Sequence, residues 1–295
     1  MDESKGIIAG LAGVKLEPAE FALGSGIRIS QTYAHLMAPF MMAYSPAEPG
    51  RPHPAPWSAV GGGGLSFDIF VQLEVPASAL LGLELDPQFI AWWITGMLRL
   101  RLGPAFIVPV IGEQSFADAK INHGHAKFFP IETPTHVLTL DPNARRSITE
   151  VDLAWTSKYW LSASRLYHDN DAFRLLFEAV DQCMFARHRN LALVWLWAGL
   201  ESVFSPDKAE LKYRISSAIA SYLEYPGIPR MNAQKAIAKL YDSRSAAAHG
   251  REDKKSDSLQ DTYTVARKSL LKMIESNRVP THVELEAKLF GVDPE

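Results

Sequence analysis

Two textures follow one another along this chain of 295 residues. Up to about residue 150 the apolar positions come in short bursts divided by turn formers. Residues 65–75 largely alternate apolar and polar side chains, from Leu65-Ser66-Phe67-Asp68 to Leu73-Glu74-Val75. That two-residue period predicts a half-buried strand. Residues 106–111 and 136–140 read as further short strands. Residues 89–100 read as a helix, with Trp92 and Trp93 packed in a core. The proline-rich stretch 45–56 and the run Gly61-Gly62-Gly63-Gly64 predict a flexible loop. That glycine run lacks the Gly-Lys-Ser/Thr ending of a phosphate-binding P-loop.

From about Val151 the period becomes helical. Phe173, Leu176, Phe177, Val180 and Met184 recur at helical spacing behind Asp171, a candidate N-cap. Residues 191–204, with Asn190 as a candidate cap, are apolar on almost every face, which predicts a helix in the middle of a bundle. Leu211, Ile215, Ala218, Ile219 and Tyr222 mark a third helix, stopped by Pro226 and Gly227. Ile237, Leu240 and Tyr241 mark a fourth, and Leu259, Tyr263, Ala266, Leu270 and Met273 a fifth. Short connections predict antiparallel neighbours. The predicted fold class is therefore α+β in two domains: a mixed, mainly β domain over residues 1–150, with no assigned role, then an all-α bundle over 151–295.

Composition changes this reading little. A chain with 47% hydrophobic residues can bury a sizeable core, and its length suits two domains. The net charge of -3 gives no global basic signature. Residues 187–255 nevertheless carry twelve Lys or Arg against seven Asp or Glu, an excess compatible with a nucleic-acid partner or a solvated surface. The single cysteine, Cys183, excludes an intramolecular disulfide framework and suits a reducing compartment. No apolar run reaches the length of a membrane span, and no secretory signal pattern opens the chain. The expectation is a soluble, cytoplasmic protein without a membrane partner.

Three kinds of chemistry find no pattern. His123-Gly124-His125, with Glu132 and His136 nearby, would place two rings on one strand face, but no further ligands follow at metal spacing. Neither a metal nor a cofactor is expected. A serine nucleophile has no Gly-x-Ser-x-Gly elbow, and Cys183 stands among apolar helix neighbours.

A sharper candidate is the string Leu240-Tyr241-Asp242-Ser243-Arg244-Ser245-Ala246-Ala247-Ala248-His249-Gly250. Gly250 reads as the left-handed residue that closes the fourth helix. Arg244 continues the stripe of Ile237, Leu240 and Tyr241 and so faces inward or toward a seam, where a cation needs a partner. Asp242, Glu201 or Glu210 can supply one. His249 lies roughly 140° around an ideal helix from Arg244. The two groups converge if the helix ends or tightens at residues 246–248, or if a second subunit brings its own copy alongside. In a purely structural role, Arg244 is a packing salt bridge and His249 interacts with the helix dipole. The spacing R-x4-6-H alone is unspecific, since Arg28 and His35 also satisfy it.

The order of residues 192–204 with Glu201, then Glu210-Leu211-Lys212-Tyr213-Arg214-Ile215, then Leu240 through Gly250, resembles the ApeA-like branch of the HEPN superfamily. The resemblance covers about residues 170–278, and its sharpest element is Tyr-x-x-Arg-Ser-x-x-x-His-Gly. It implies a helical bundle, a homodimer through that bundle, and a metal-independent endoribonuclease acting in defence or stress response. Arg244 and His249 would be the catalytic pair, with Ser245, Asp242, Glu201, Glu210 and Arg214 supporting or binding RNA. Such chemistry suits these groups. Imidazole can move the 2′-hydroxyl proton, and a guanidinium can hold the phosphate and offset its growing charge. The implied products are a 2′,3′-cyclic phosphate and a 5′-hydroxyl. In this reading the N-terminal domain recognises a trigger ligand or positions substrate. Two alternatives stand beside it: a non-catalytic RNA- or nucleotide-binding or dimerisation module, and a chain whose main function lies in the N-terminal domain, with the bundle as a scaffold.

Overall fold

The computed structural model describes residues 6–38, 41–59, 65–77, 85–103, 106–122, 126–134, 136–205, 211–250 and 257–292. They form an α+β chain of two compact units. One holds Met1–Trp92, Phe106–Thr133 and Arg146–Glu150; the other holds Trp93–Ala105, Pro134–Arg145 and Val151–Glu295.

The strands of the first unit are β1 (Ile7–Ala12), β2 (Lys15–Leu16), β3 (Glu20–Gly24), β4 (Ile27–Ala38), β5 (Met41–Ala43), β6 (Trp57–Ala59) and β7 (Leu65–Val75). They continue with β8 (Ile107–Gly112), β9 (Phe128–Pro130) and β10 (Ser147–Ile148). Six of them pair antiparallel in the order β3-β4-β7-β1-β8-β9. Both β1 and β8 are buried at every position. Strands covered on both faces lose the alternation that marks a half-buried one. For that reason β1 is invisible to a two-residue pattern, whereas β7 is read directly.

A slip in the ladder decides which way β7 points its side chains. Leu11 and Ala12 pair with Val71 and Ile69, and Gln31 and Ala34 pair with the same two residues. A short helix, here placed at Phe116–Ile121, is capped by Ser115 and covers one face. Ile69 and Phe116 both stand over Gly10. The cross-strand partner of Gly10 is Gln72, whose side chain accepts a hydrogen bond from the Phe116 amide. Ile69 and Gln72 therefore share that face, although residues three apart in a regular strand point oppositely. The slip turns Asp68 and Ser66 to the other face. Past it, β1 has ended at Ala12 and β3 pairs no further than Ser30. There β4 and β7 continue, among the described residues, as a two-stranded ribbon.

The helices are α1 (Pro87–Leu102), α2 (the Phe116–Ile121 helix), α3 (Glu150–Asp169), α4 (Asp171–Gln182), α5 (Arg189–Phe204), α6 (Leu211–Leu223), α7 (Ile228–Ala248), α8 (Ser258–Ser276) and α9 (His282–Leu289). The second unit takes α1 from Trp93 onward and α3 from Val151 onward, as well as α4 to α9. At its centre α5 buries residues around most of its circumference, from Ala192 to Phe204, as its nearly all-apolar sequence requires. Helices α4 and α5 approach closely at Gly199, where a Cβ would stand 2.8 Å from the Leu176 Cα. Trp93 packs in this core: its ring lies 4.3 Å from that of Phe177, and its Nε1 donates to the Trp160 carbonyl at 2.8 Å. Arg99 and Asp181, each with a side chain 2% exposed, form an ion pair at 3.2 Å in the same interior. No helix among the described residues is long and apolar enough to cross a membrane.

Several expectations need correction. Residues 136–140 form no strand; Leu138 and Leu140 are buried in the helical unit, and the Leu138 amide donates to the Met184 carbonyl at 2.8 Å. Burial of alternate residues mimicked a strand without a ladder partner. The N-cap of α4 is Asn170, whose side chain accepts from the Phe173 amide at 2.9 Å; Asp171 lies inside the first turn. Helix α5 begins at Arg189 behind His188, so Asn190 is a helical residue and not its cap. The glycine run 61–64 lies outside the described residues, as do His123 and His125.

Candidate functional site

The last two turns of α7 carry the string singled out in the sequence. Tyr241 places its ring toward α5, where it meets Trp197 edge-on at 5.0 Å. One turn further, Arg244 follows the same stripe and is half-buried, with 29% of its side chain exposed. Its partner is Glu201, one turn beyond Trp197 on α5. Arg244 Nη2 donates to Glu201 Oε2 at 3.2 Å and lies 3.2 Å from Oε1. The approach to Oε1 is an ionic contact off the N–H direction, since that oxygen has no hydrogen-bond partner among the described residues by distance and angle. The guanidinium also stands 5.7 Å from the Tyr241 ring centre. Burial pushes the Tyr241 phenol up, Glu201 adds to the rise, and Arg244 opposes it.

The seam between α5 and α7 is rich in unsatisfied polar atoms. Trp197 Nε1, Glu201 Oε1 and Arg244 Nε are buried without a hydrogen-bond partner among the described residues. Each such group costs about 1–3 kcal/mol in a packed interior. A polar seam with such atoms is less stable than an apolar seam of the same shape.

Asp242 does not serve Arg244. It points to the other side of α7 and takes Lys212 Nζ of α6 at 2.7 Å, in the open. Arg214, next along α6, is exposed, and Ser245 is half-buried beside Arg244. Glu210 lies outside the described residues. Of the expected supporting set, Glu201 is the ion-pair partner of Arg244 among the described residues.

His249 ends the helix as its C-cap and is exposed. Gly250 follows with φ +69, the left-handed conformation that favours glycine. The helix does tighten here: the His249 amide bonds to Ala246 at 3.2 Å and the Gly250 amide to Ala247 at 3.0 Å, both three residues back. Such turns advance about 120° per residue against about 100° in an α-helix. Tightening therefore carries His249 further from the Arg244 face, not toward it.

Beside this helix end lies a cavity of about 830 Å³ that the sequence did not reveal. The start of α5 supplies His188, Arg189 and Asn190, the end of α7 supplies Ala248 and Gly250, and Leu259 of α8 adds an apolar wall. The sequence signal was the triplet Arg187-His188-Arg189, which reads as a basic loop until its proximity to residue 250 is known. No metal cluster emerges: among the described residues no three His, Cys, Asp or Glu side chains gather to hold an ion. Glu132 is engaged by the Val108 amide at 2.6 Å. Cys183 is fully buried, and that burial pushes its thiol well up, away from nucleophilic chemistry. No family model, curated protein or solved structure matches the chain.

Proposed function

We propose that the chain is a metal-independent endoribonuclease of the HEPN type, acting as a homodimer through its helical unit. The observation that carries this reading is the end of α7. Arg244 is held by Glu201 at a seam that leaves polar atoms without partners among the described residues, and an exposed histidine follows five residues later at a helix end that lines a cavity with His188 and Arg189. Arg244 would hold the scissile phosphate and offset its growing negative charge. His249 would exchange the proton of the 2′-hydroxyl or of the leaving 5′-oxygen. RNA supplies its own nucleophile, so the chemistry needs no ion. On an ideal helix Arg244 and His249 stand roughly 140° apart, so a second copy of the chain would complete the cleft. Arg189 and His188 would guide the strand across the cavity, since cations positioned along a groove track a phosphate backbone.

The test is incubation of the purified full chain with mixed RNA in EDTA, beside Arg244→Ala and His249→Ala. Loss of cutting by about 100-fold or more in both variants, with circular dichroism unchanged, is the expected result. Equal cutting by wild type and variants refutes the assignment. Light scattering that shows monomer alone at cutting concentrations refutes the shared cleft. A binding or dimerisation module is the second reading, and the ion pair to Glu201 favours it: if Arg244 serves packing, Arg244→Ala unfolds the unit while His249→Ala changes nothing.

A further inference from the structure

The ribbon formed by the ends of β4 and β7 carries a different set of reactive groups, far along the sequence from α7. His35 and Asp68 are cross-strand partners, and Met37 is the partner of Ser66. His35 Nδ1 lies 2.8 Å from Asp68 Oδ1, and His35 Nε2 lies 3.0 Å from Ser66 Oγ. A carboxylate can only accept, so Nδ1 carries the ring proton and Nε2 is left to accept from the Ser66 hydroxyl. Tyr33 donates to the same Asp68 oxygen at 3.4 Å and steadies it from a second direction. Residues 33 apart in sequence meet here because the ladder slip turns Asp68 and Ser66 onto the face that α2 does not cover.

The surroundings of this chain of hydrogen bonds are unusual for an exposed strand. Met37 is 73% exposed and Tyr33 66%, and the Tyr33 ring lies 5.8 Å from that of Phe70. Large apolar side chains held in water around a polar cluster favour contact with an apolar ligand. His35 and Asp68 keep 36% and 50% of their side chains open, so a substrate can reach them.

We propose that Ser66, His35 and Asp68 form an acyl-transfer site, in which Ser66 is the nucleophile toward aryl and other activated esters of apolar acids. Ser66 Oγ attacks the carbonyl carbon as its proton passes to His35 Nε2, and the carbonyl electron pair moves to oxygen. The tetrahedral adduct collapses, the C–O bond to the leaving group breaks, and the departing phenolate or alkoxide takes the proton from Nε2. Water then adds to the acyl-Ser66 carbonyl, giving its proton to Nε2. Collapse releases the carboxylic acid and returns the proton to Ser66 Oγ. Asp68 touches no substrate; it is a positioning residue that fixes the ring tautomer and offsets the imidazolium charge. The relay lies on an open strand face, so selectivity comes from leaving-group quality and from contact with Met37, Tyr33 and Phe70.

The experiment uses the full chain with a fluorophosphonate probe and peptide mass spectrometry, beside hydrolysis of 4-nitrophenyl butyrate. Phosphonylation at Ser66 is expected, about 100-fold slower in His35→Ala and restored by added imidazole. Asp68→Asn slows it by roughly 10-fold or more, and Asp68→Glu recovers part of the rate. Circular dichroism checks that each exposed-residue variant keeps its fold. No label at Ser66, or an equal rate in His35→Ala, overturns the proposal and leaves a cross-strand hydrogen-bond set. A loss that imidazole fails to restore assigns His35 to holding the ribbon and overturns it as well. Labelling at Ser66 and cutting of RNA are separate readouts, so the two sites are tested separately.

Discussion

Replacing Arg99 by methionine removes the cation of an ion pair whose two side chains are each 2% exposed. The guanidinium Nη1 donates to Asp181 at 3.2 and 3.5 Å and its carbon lies 5.6 Å from the Phe185 ring centre. Asp181 keeps the amide of Gln182, at 2.7 Å, but loses its counter-charge. A charge stranded in this way costs about 3–5 kcal/mol, while an apolar pair of similar volume is about neutral or stabilising by up to about 4 kcal/mol. Methionine has nearly the reach of the arginine stem, so the packing loss is small beside the electrostatic one. A unit of this size loses roughly 2–4 °C of Tm per kcal/mol, so Arg99→Met should melt about 6–20 °C below wild type. Arg99→Met with Asp181→Leu should return to within about 1 kcal/mol of wild type or exceed it. Urea unfolding followed by far-ultraviolet circular dichroism and tryptophan fluorescence gives all four corners of the cycle. If Arg99→Met costs under about 1 kcal/mol, or if the double variant loses the sum of the two single losses, the pair is not a coupled buried charge pair and the reasoning fails.

Two further predictions follow from packing and titration. Gly199→Val gains a few tenths of a kcal/mol in helix propensity but drives a branched side chain into the Leu176 backbone, 2.8 Å from the new Cβ, and should lower stability by about 2–3 kcal/mol in the same urea assay. Burial pushes the Tyr222 phenol up to about 12, against a hydrogen bond with Ser276 that lowers it. A folded value above the unfolded one, near 10, gives stability that is complete below about pH 10 and is lost as pH rises toward 12, by up to roughly 3 kcal/mol. Tyr222→Phe should remove this alkaline dependence; an unchanged pH profile would count against the burial.

Legibility tracked the local or non-local origin of each feature. Helices α4 to α8 were visible because a 3.6-residue period and turn formers are properties of the chain itself. Strand β7 was visible because one of its faces is buried and the other is not. By contrast β1, buried at all six positions, carries no period to read, and 136–140 carries one without being a strand. In both cases burial by distant residues, not local backbone preference, writes the pattern. Cap identity failed by one or two residues at Asn170 and His188, where several polar residues stand in a row and only the hydrogen bond distinguishes them.

The candidate sites divide in the same way. By itself the sequence determined that Arg244 and His249 share the end of one helix, that Arg244 continues an apolar stripe, and that Gly250 ends it. Those are consequences of spacing along a single element. Only the tertiary structure decided that Glu201, and not Asp242, holds Arg244, and that His188 and Arg189 come to line one cavity with residue 250. It alone brought Ser66, His35 and Asp68 within hydrogen-bonding distance, through a slip in a strand ladder that no spacing announces. The physical reason is common to all three: a side chain's direction is local, but its partner is chosen by the packing of elements distant in sequence.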